Sequence, residues 1–429
     1  MVPTTDLQLQ AAGAVHPDRP ALRRCTHLDP GEFAATRWGR QASLSPREQL
    51  AEGFSDLLTL DDVDRLVSEH GLRTPFLRVA RNGETYPNVR FTRGGGVGAT
   101  IEDQVDGAAL SRLYAEGATL VLQALHRTHP PLIAFARELT ADLGHPVQVN
   151  AYVTPPQSQG FSDHYDVHDV FVLQVAGEKR WTIREPVHPH PLRNQPWTDR
   201  REAVRAAAQR EPLLDVVLRP GDALYLPSGF LHAAQALGET SAHLTVGVHT
   251  WTRAHLVNEL IARLGHLEAL REPLPLGVDV ADPEQLQAAL AETVRALQQA
   301  LPQVPAAEVA RALGRQADGA ARAEPVGPLA QARALDAVDL WSRLRWRHGL
   351  RATLVDEPGG VVAVRTAEVT VRLPAAAREG VRRLLDGAVL TVAELAAGED
   401  SVLDDVQRLE VARSLLAAAV AVPAAGPTG

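Results

Sequence analysis

Two side chains with metal-binding chemistry lie close together in the middle of the chain. The segment 161–170, FSDHYDVHDV, contains His164 and Asp166 and leads into the apolar run 171–175. Because side chains two residues apart on a strand point to the same face, the imidazole and the carboxylate are expected to project side by side. A histidine and an aspartate in this arrangement can serve as two ligands of a divalent metal ion.

A third ligand is expected from a remote corner of the chain. The segment 219–232, RPGDALYLPSGFLH, predicts a turn, a strand and a tight corner at Pro227 and Gly229 that directs His232 inward. Two imidazoles and one carboxylate on one side of an ion leave positions open for other ligands, which is the donor set of non-haem iron(II) sites. The two segments together predict such a site more strongly than either does alone.

Other histidines and acids near these ligands have to be weighed beside them. His168 lies on the same face of the predicted strand, so a triad of Asp166, His168 and His232 remains an alternative. Two carboxylates on the opposite face are expected to be solvated or to cap turns: Asp163 and Asp169. Two histidines on the last predicted strand, His243 and His249, are expected to be hydrogen-bonded core residues, and an approach of either to the substrate pocket stays open as an alternative.

Composition limits the classes of protein and partner. A length of 429 residues favours two or three domains. A formal net charge of -9 does not favour gripping phosphate backbones, so we expect no nucleic-acid partner. Cys25 is the only cysteine, which leaves a metal to nitrogen and oxygen ligands. Residues 1–29 contain no apolar run of signal-peptide or membrane-spanning length, so we expect a cytoplasmic location and no membrane partner.

The elements that must position these ligands are predicted to be short strands. Residues 147–251 contain β-branched runs divided by glycine and proline, which favours a closed or double-sheet all-β unit, with a jelly roll as the preferred form. The predicted strands are 147–153, 170–175, 180–183, 213–218, 223–226 and 243–251. A helix-rich stretch over 107–143 precedes them, with a break expected at Pro130.

The chain divides into parts of different pattern. In chain order these are a loosely structured lead-in (1–45), the β unit with the elements before it (46–252), a helical segment with its linker (253–332), a unit with a hairpin and short helices (333–422) and a tail (423–429). Two amphipathic helices are predicted over 253–302, the second capped by Asp282, and their apolar stripes must pack on the barrel or form a subunit interface. Residues 303–332, rich in alanine, proline and glycine, are predicted to be the linker.

These motifs together resemble the JmjC-type cupin oxygenases related to the bacterial and human ribosomal oxygenases. The resemblance covers most of the chain and rests on Phe33, Trp38, the run 150–152, the His164-Tyr165-Asp166 motif, the run 177–181 and the corner before His232. It implies an α+β protein with a double-stranded β-helix core, the jelly roll of cupins. It also implies that 253–302 form a helical dimerisation segment and that a winged-helix-like domain ends the chain, over 333–422.

The same resemblance assigns a role to Lys179, the only lysine among 43 basic residues. Family members bind the distal carboxylate of 2-oxoglutarate with a cation at the matching position, on the strand after the metal motif. Asn150 and Tyr152 match residues that line the same pocket, and Thr245 falls where a hydroxyl group approaches the co-substrate. Gly247 has no hydroxyl to offer there.

The resemblance thus implies iron(II), 2-oxoglutarate and O2, held in part by His164, Asp166 and His232. The implied reaction is hydroxylation of a protein or peptide side chain, such as an arginine or histidine of a ribosomal protein. N-methyl demethylation by the same chemistry stays open, as does a metal cupin that binds or senses without turnover. A metal cupin that does not use 2-oxoglutarate is disfavoured, because such an enzyme needs no buried cation at Lys179.

Overall fold

The computed structural model describes residues 18–81, 83–98, 100–159, 162–320, 322–396 and 403–424. Its helices are α1 Pro20–Arg23, α2 Pro30–Thr36, α3 Leu60–Ser68, α4 Gly107–Ala115, α5 Pro130–Leu143, α6 Arg201–Ala207, α7 Arg253–Leu264, α8 Pro283–Ala300, α9 Ala306–Ala320, α10 Pro328–Ala337, α11 Arg378–Leu385 and α12 Asp405–Ala417.

The strands before the C-terminal unit are β1 Ser43–Ser45, β2 Leu77–Arg81, β3 Glu84–Thr85, β4 Thr92–Arg93, β5 Gln104–Val105, β6 Thr119–Leu122, β7 Val147–Thr154, β8 Asp169–Arg184, β9 Leu214–Leu218, β10 Ala223–Leu226 and β11 Leu231–Val248. Those of the C-terminal unit are β12 Arg343–Trp346, β13 Thr353–Glu357, β14 Val361–Arg365, β15 Thr370–Pro374, β16 Val389–Thr391 and β17 Ala421–Pro423.

Two long antiparallel strands, β8 and β11, form the centre of the main sheet. Residues 178–184 of β8 pair with 231–237 of β11, and 169–176 pair with 242–248, with an irregular register between the two ladders. Gly177 lies at the bend with a φ of +60°, and a Cβ there would approach the carbonyl oxygen of Thr240 to 2.1 Å. Only glycine therefore allows the two strands to bend together.

The neighbouring strands complete the main sheet, whose order is β1-β10-β8-β11-β7-β6-β2-β3, with β9 also paired to β8. The predicted strands 170–175 and 180–183 are one strand in the structure, and β11 begins at Leu231, twelve residues before the predicted start at 243. Glycines at 177 and 238 interrupt the β-branched pattern, so the sequence predicted separate strands where β8 and β11 each continue through a bend. The predicted end at residue 251 is also wrong, since β11 ends at Val248.

The stretch 107–143 is less helical than predicted. β6 lies inside it, with all four residues buried, between β2 and β7. Pro130 does not end a helix but begins α5, where a missing N–H costs nothing because the first-turn donors have no intrahelical partner.

The described part of the lead-in is ordered, contrary to the prediction of a loose segment. β1 pairs with β10, and Phe33 is only 1% exposed. Its ring lies edge-on to that of Tyr225, with centroids 4.9 Å apart. The lead-in thus packs on the strand that precedes the corner of His232.

Two predictions about the helical segment have opposite outcomes. α8 begins at Pro283 with the Asp282 carboxylate accepting a hydrogen bond from the Glu284 amide at 2.9 Å, as the capping pattern predicted. The predicted linker 303–332 is wrong, because α9 and the first half of α10 lie within it. Alanine, arginine and glutamine are strong helix formers, and Val309 and Ala312 bury one face of α9.

The C-terminal unit has its own hydrophobic core between two three-stranded sheets and the helices α11 and α12. The predicted hairpin at 358–360 joins β13 to β14. β12 was not predicted from the sequence, and α12 begins at Asp405, after residues 397–402, which are outside the described part. The winged-helix likeness stays a prediction.

None of the helices in the described ranges is long and apolar enough to cross a membrane.

Candidate metal centre and anion pocket

The structure brings His164, Asp166 and His232 together. One ligand atom of each lies within 4.8 Å of the others, a spacing at which all three can contact one ion. His232 Nε2 lies 3.8 Å from Asp166 Oδ2, and the two imidazole centroids are 4.4 Å apart.

The sequence pattern predicted that a regular strand positions His164 and Asp166, and this prediction is wrong. β8 begins only at Asp169, and His164 instead forms an isolated bridge with His232 through two backbone hydrogen bonds of 2.9 and 3.2 Å. The amide of Gly229 donates to the carbonyl oxygen of Asp166 at 2.9 Å. The remote corner is thus bonded directly to the metal motif.

Backbone carbonyls fix the orientation of both imidazoles. His164 Nδ1 lies 2.8 Å from the Ser162 carbonyl oxygen, and His232 Nδ1 lies 3.1 Å from that of Phe230. Since a carbonyl oxygen can only accept, each Nδ1 carries the proton and donates. Each Nε2 therefore keeps its lone pair for a metal ion.

The charges of the three groups suit a cation. Burial lowers the pKa of His232 to about 4, so its imidazole is neutral at neutral pH. Burial raises the pKa of Asp166, but nearby His168, His232, His164 and Arg78 lower it more, and the net pKa lies below the ordinary value. The site thus offers the carboxylate of Asp166 and the neutral imidazole of His232, beside the imidazole of His164.

Lys179 lies in the same cavity as the triad and is 4% exposed. Its Nζ donates to Thr154 Oγ1 at 3.1 Å, and no carboxylate of the described chain pairs with it. Burial lowers its pKa to about 7, because the cation is costly where water cannot reach it. A buried amine with a single hydroxyl partner is suited to an anionic guest.

The other predicted pocket residues divide into two groups. Tyr152 and Thr245 line the cavity, and burial raises the pKa of Tyr152 to about 12, so its hydroxyl keeps its proton. Asn150 is not among the described residues that line the cavity. Its Oδ1 accepts a hydrogen bond from the Ala124 amide at 3.0 Å, so its side chain holds a turn beside the barrel.

Two further cavity residues carry polar ring nitrogens: Trp181, which was not predicted as part of the site, and His243, whose approach to the pocket was an open alternative. Trp181 and His243 are 5% and 3% exposed, and their rings meet edge to face at 5.3 Å. Within the described chain, neither Trp181 Nε1 nor His243 Nδ1 has a hydrogen-bond partner. The period of two predicts both positions, because Trp181 follows Lys179 by two residues and His243 precedes Thr245 by two.

The neighbouring histidines and acids have other surroundings. His168 is not in the triad and stacks on His249, with centroids 5.2 Å apart. Asp163 pairs with Arg184 at 2.9 Å. Asp169, expected to be solvated or capping, is 2% exposed.

Asp169 links the metal motif to the corner before His232. Its two oxygens accept from the Tyr225 hydroxyl at 2.5 Å and from the Ser228 amide at 2.9 Å. The Tyr225 oxygen in turn accepts from the amide of Gly39. The buried carboxylate therefore connects β8, β10, the lead-in and the corner.

The chain is similar to a known family over the part that contains these residues. A family model of the JmjC domain matches residues 132–256. Human ribosomal oxygenase 1 is 29% identical over 231 residues, which cover 52% of this chain and 34% of that protein. The bifunctional lysine-specific demethylase and histidyl-hydroxylase NO66 of Drosophila willistoni is 30% identical over 261 residues, 58% of this chain and 32% of that one. The chain spans about a third of the length of these relatives.

Solved structures give the same fold. The Escherichia coli ribosomal oxygenase YcfD superposes with a TM-score of 0.51 and 18% identity over 92% of this chain and 98% of that chain. A structure of YcfD in complex with cobalt and 2-oxoglutarate gives a TM-score of 0.50 at 17% identity, over 93% and 99% of the two chains. At this identity the likeness shows the fold alone, with the mixed helix and sheet content that this chain shares with YcfD.

Proposed function

We propose that this chain is an iron(II)- and 2-oxoglutarate-dependent oxygenase that hydroxylates a side chain of a protein or peptide, a proposal that the match of residues 132–256 to a JmjC domain supports. The observation that supports this most directly is Lys179, a buried amine without a carboxylate partner in the described chain, in the same cavity as the His164, Asp166 and His232 triad. A metal site alone would not need that amine.

Four residues of the cavity would bind the metal and the co-substrate. His164, Asp166 and His232 would hold iron(II) and leave positions open on the other side. When bound, the metal and 2-oxoglutarate would supply a reaction in which one atom of O2 enters a substrate C–H bond and the other enters succinate, with release of CO2. Lys179 would pair with the distal carboxylate.

The walls of the cavity would orient the co-substrate and exclude water. Tyr152 and Thr245, whose side chains carry hydroxyl groups, line the same cavity as Lys179. The apolar part of the wall is formed by Val170, Val172 and Leu226. A dry wall strengthens the pairing between the ammonium and a carboxylate, because water cannot screen it.

The first test needs no knowledge of the substrate. The purified protein with iron(II), 2-oxoglutarate and O2 is expected to release succinate slowly, measured by mass spectrometry. A separate titration of the cobalt(II)-loaded protein with 2-oxoglutarate measures binding without turnover. Binding without any succinate would instead favour a sensing module.

A protein side chain is the proposed substrate because the relatives named above are ribosomal oxygenases and histidyl-hydroxylases. Hydroxylation adds one oxygen atom to the product, whereas N-methyl demethylation releases formaldehyde. Mass spectrometry of proteins from cells with and without the gene, together with a formaldehyde assay, separates the two reactions.

We also propose that residues 253–302 form a homodimer interface. α8 has no buried residue, and Leu290 and Val294 on its apolar stripe are 62% and 42% exposed. Ile261 of α7 is 48% exposed. An amphipathic helix normally buries such a stripe, so a second copy of the chain would cover it. The variant Leu290→Glu with Val294→Glu is expected to be monomeric in light scattering, and an unchanged dimer would contradict the proposal.

A further inference from the structure

A second groove lies beside the metal centre. Ser162 and Asp163, the residues just before the metal ligand His164, form part of its lining. Trp197 lines it too, with its ring centroid 6.4 Å from that of His164. The groove is therefore adjacent to the metal centre on the side of His164.

The groove wall is anchored to the metal motif. Tyr165, between two of the ligands, packs in a small core with Val204 of α6, and Trp197 packs against that core. The Tyr165 hydroxyl donates to the Gln195 carbonyl oxygen at 3.0 Å. Because the same residue touches the metal motif and the wall, a chain bound in the groove would have a defined position relative to the metal.

The groove carries positive charge without a carboxylate partner. Arg201 lies over the Trp197 ring at 5.0 Å, and Arg205 follows one helical turn later on α6. Both line the groove and are exposed, and neither forms an ion pair within the described chain. Asp163 is already paired with Arg184, so of the acidic lining residues only Glu84 is without an ion pair in the described chain.

We propose that this groove binds the polypeptide substrate and that Arg201 and Arg205 select an acidic residue close to the oxidised side chain; the proposal rests on the oxygenase function proposed above. The Arg201 guanidinium lies no more than about 11 Å from the His164 ring, since each is close to Trp197. An extended chain advances about 3.3 Å per residue. The acidic residue is therefore within about four positions of the target.

The test uses the full-length iron-loaded protein with 2-oxoglutarate, 18O2 gas and a peptide library prepared from a cellular proteome. Mass spectrometry identifies the side chains that gain an 18O atom. Sites oxidised by the wild type are expected to show aspartate or glutamate within four positions, enriched about 1.4-fold to fivefold over the library, the range of one solvent-accessible charge pair.

Charge-changing variants assign that preference to the groove. Arg201→Gln with Arg205→Gln is expected to abolish the acidic enrichment, and Arg201→Glu with Arg205→Glu to replace it by lysine and arginine. Arg112→Glu with Arg413→Glu is the charge-matched control. Those two arginines are also exposed and without an ion pair in the described residues, and they lie outside the groove lining. The control is expected to keep the acidic preference.

Three results would overturn the proposal: no acidic enrichment in the wild type, the same enrichment in the Arg201→Gln, Arg205→Gln variant, or no oxygenated peptide at all while succinate is still released. Absence of both succinate release and 2-oxoglutarate binding in the wild type would instead contradict the oxygenase function itself. The two failures are therefore distinguishable.

Discussion

Replacing Lys179 by methionine removes the buried charge and keeps most of the aliphatic stem. The Lys179 amine has one hydrogen bond, to Thr154, and the side chain is 4% exposed. In the methionine variant, water therefore cannot replace the amine as the partner of a bound carboxylate. A hydrogen bond to a charged group contributes about 1.5–3 kcal/mol. The affinity for 2-oxoglutarate is therefore expected to fall about 10- to 150-fold.

Calorimetric titration of the cobalt(II)-loaded protein with 2-oxoglutarate measures this loss directly. The adjacent Arg180→Met is the matched control, because Arg180 is on the opposite face of β8, is 56% exposed and pairs with Asp215 outside the cavity. Arg180→Met is expected to bind 2-oxoglutarate as the wild type does. Equal affinity of Lys179→Met and wild type would refute the role of the amine.

The pH dependence of binding tests the same amine by a second route. Since burial lowers the pKa of Lys179 to about 7, the amine of the free protein loses its proton as the pH rises above that value. A carboxylate needs the ammonium form, so the affinity for 2-oxoglutarate is expected to fall by up to about tenfold per pH unit between pH 7 and 9. Lys179→Met is expected to lack this slope, and a slope that survives the substitution would assign it to another group.

The lowered pKa of Lys179 also makes the stability of the free protein depend on pH, in the direction opposite to that of 2-oxoglutarate binding. Between about pH 7 and the ordinary value of 10.5, the unfolded lysine binds a proton that the folded one does not. The contribution of Lys179 to the free energy of unfolding therefore rises with pH through this window and is lowest below pH 7. Chemical denaturation of wild type and Lys179→Met at pH 7 and 9 measures the difference.

Three further substitutions test the geometry around the site. His164→Ala is expected to weaken cobalt(II) binding more than about 100-fold, whereas His168→Ala should change it less than about threefold, and the reverse order would support the alternative triad. Tyr225→Phe leaves the buried Asp169 with one fewer hydrogen-bond donor, so the free energy of unfolding measured by urea denaturation should fall by about 1–3 kcal/mol. An unchanged free energy of unfolding would show that this hydrogen bond does not stabilise the fold. Gly177→Ala places a Cβ against backbone at a positive φ, which should cost more than about 3 kcal/mol in the same assay, and a wild-type midpoint would contradict the required bend.

The sequence alone determined which chemistry the site offers. His164, Asp166 and His232 were predicted from residue type and spacing, because few side chains bind divalent metals, and the family resemblance assigned a role to Lys179, the solitary lysine among 43 basic residues. A jelly-roll core was predicted as well, since β-branched runs divided by glycine and proline have few stable arrangements, and the family resemblance implied its cupin form. Cap and turn signals also predicted the start of α8 and the hairpin between β13 and β14.

Only the tertiary structure decided how these residues meet. The bridge between His164 and His232 joins backbone groups 68 positions apart, and no local pattern encodes such a pairing. The burial of Asp169 depends on Tyr225 and Ser228, which reach it from another strand and from the corner. Period and propensity describe neighbours along the chain, whereas hydrogen bonds and desolvation are set by neighbours in space. For that reason the sequence indicated the ligands, and the fold supplied their orientation, their charge and the groove beside them.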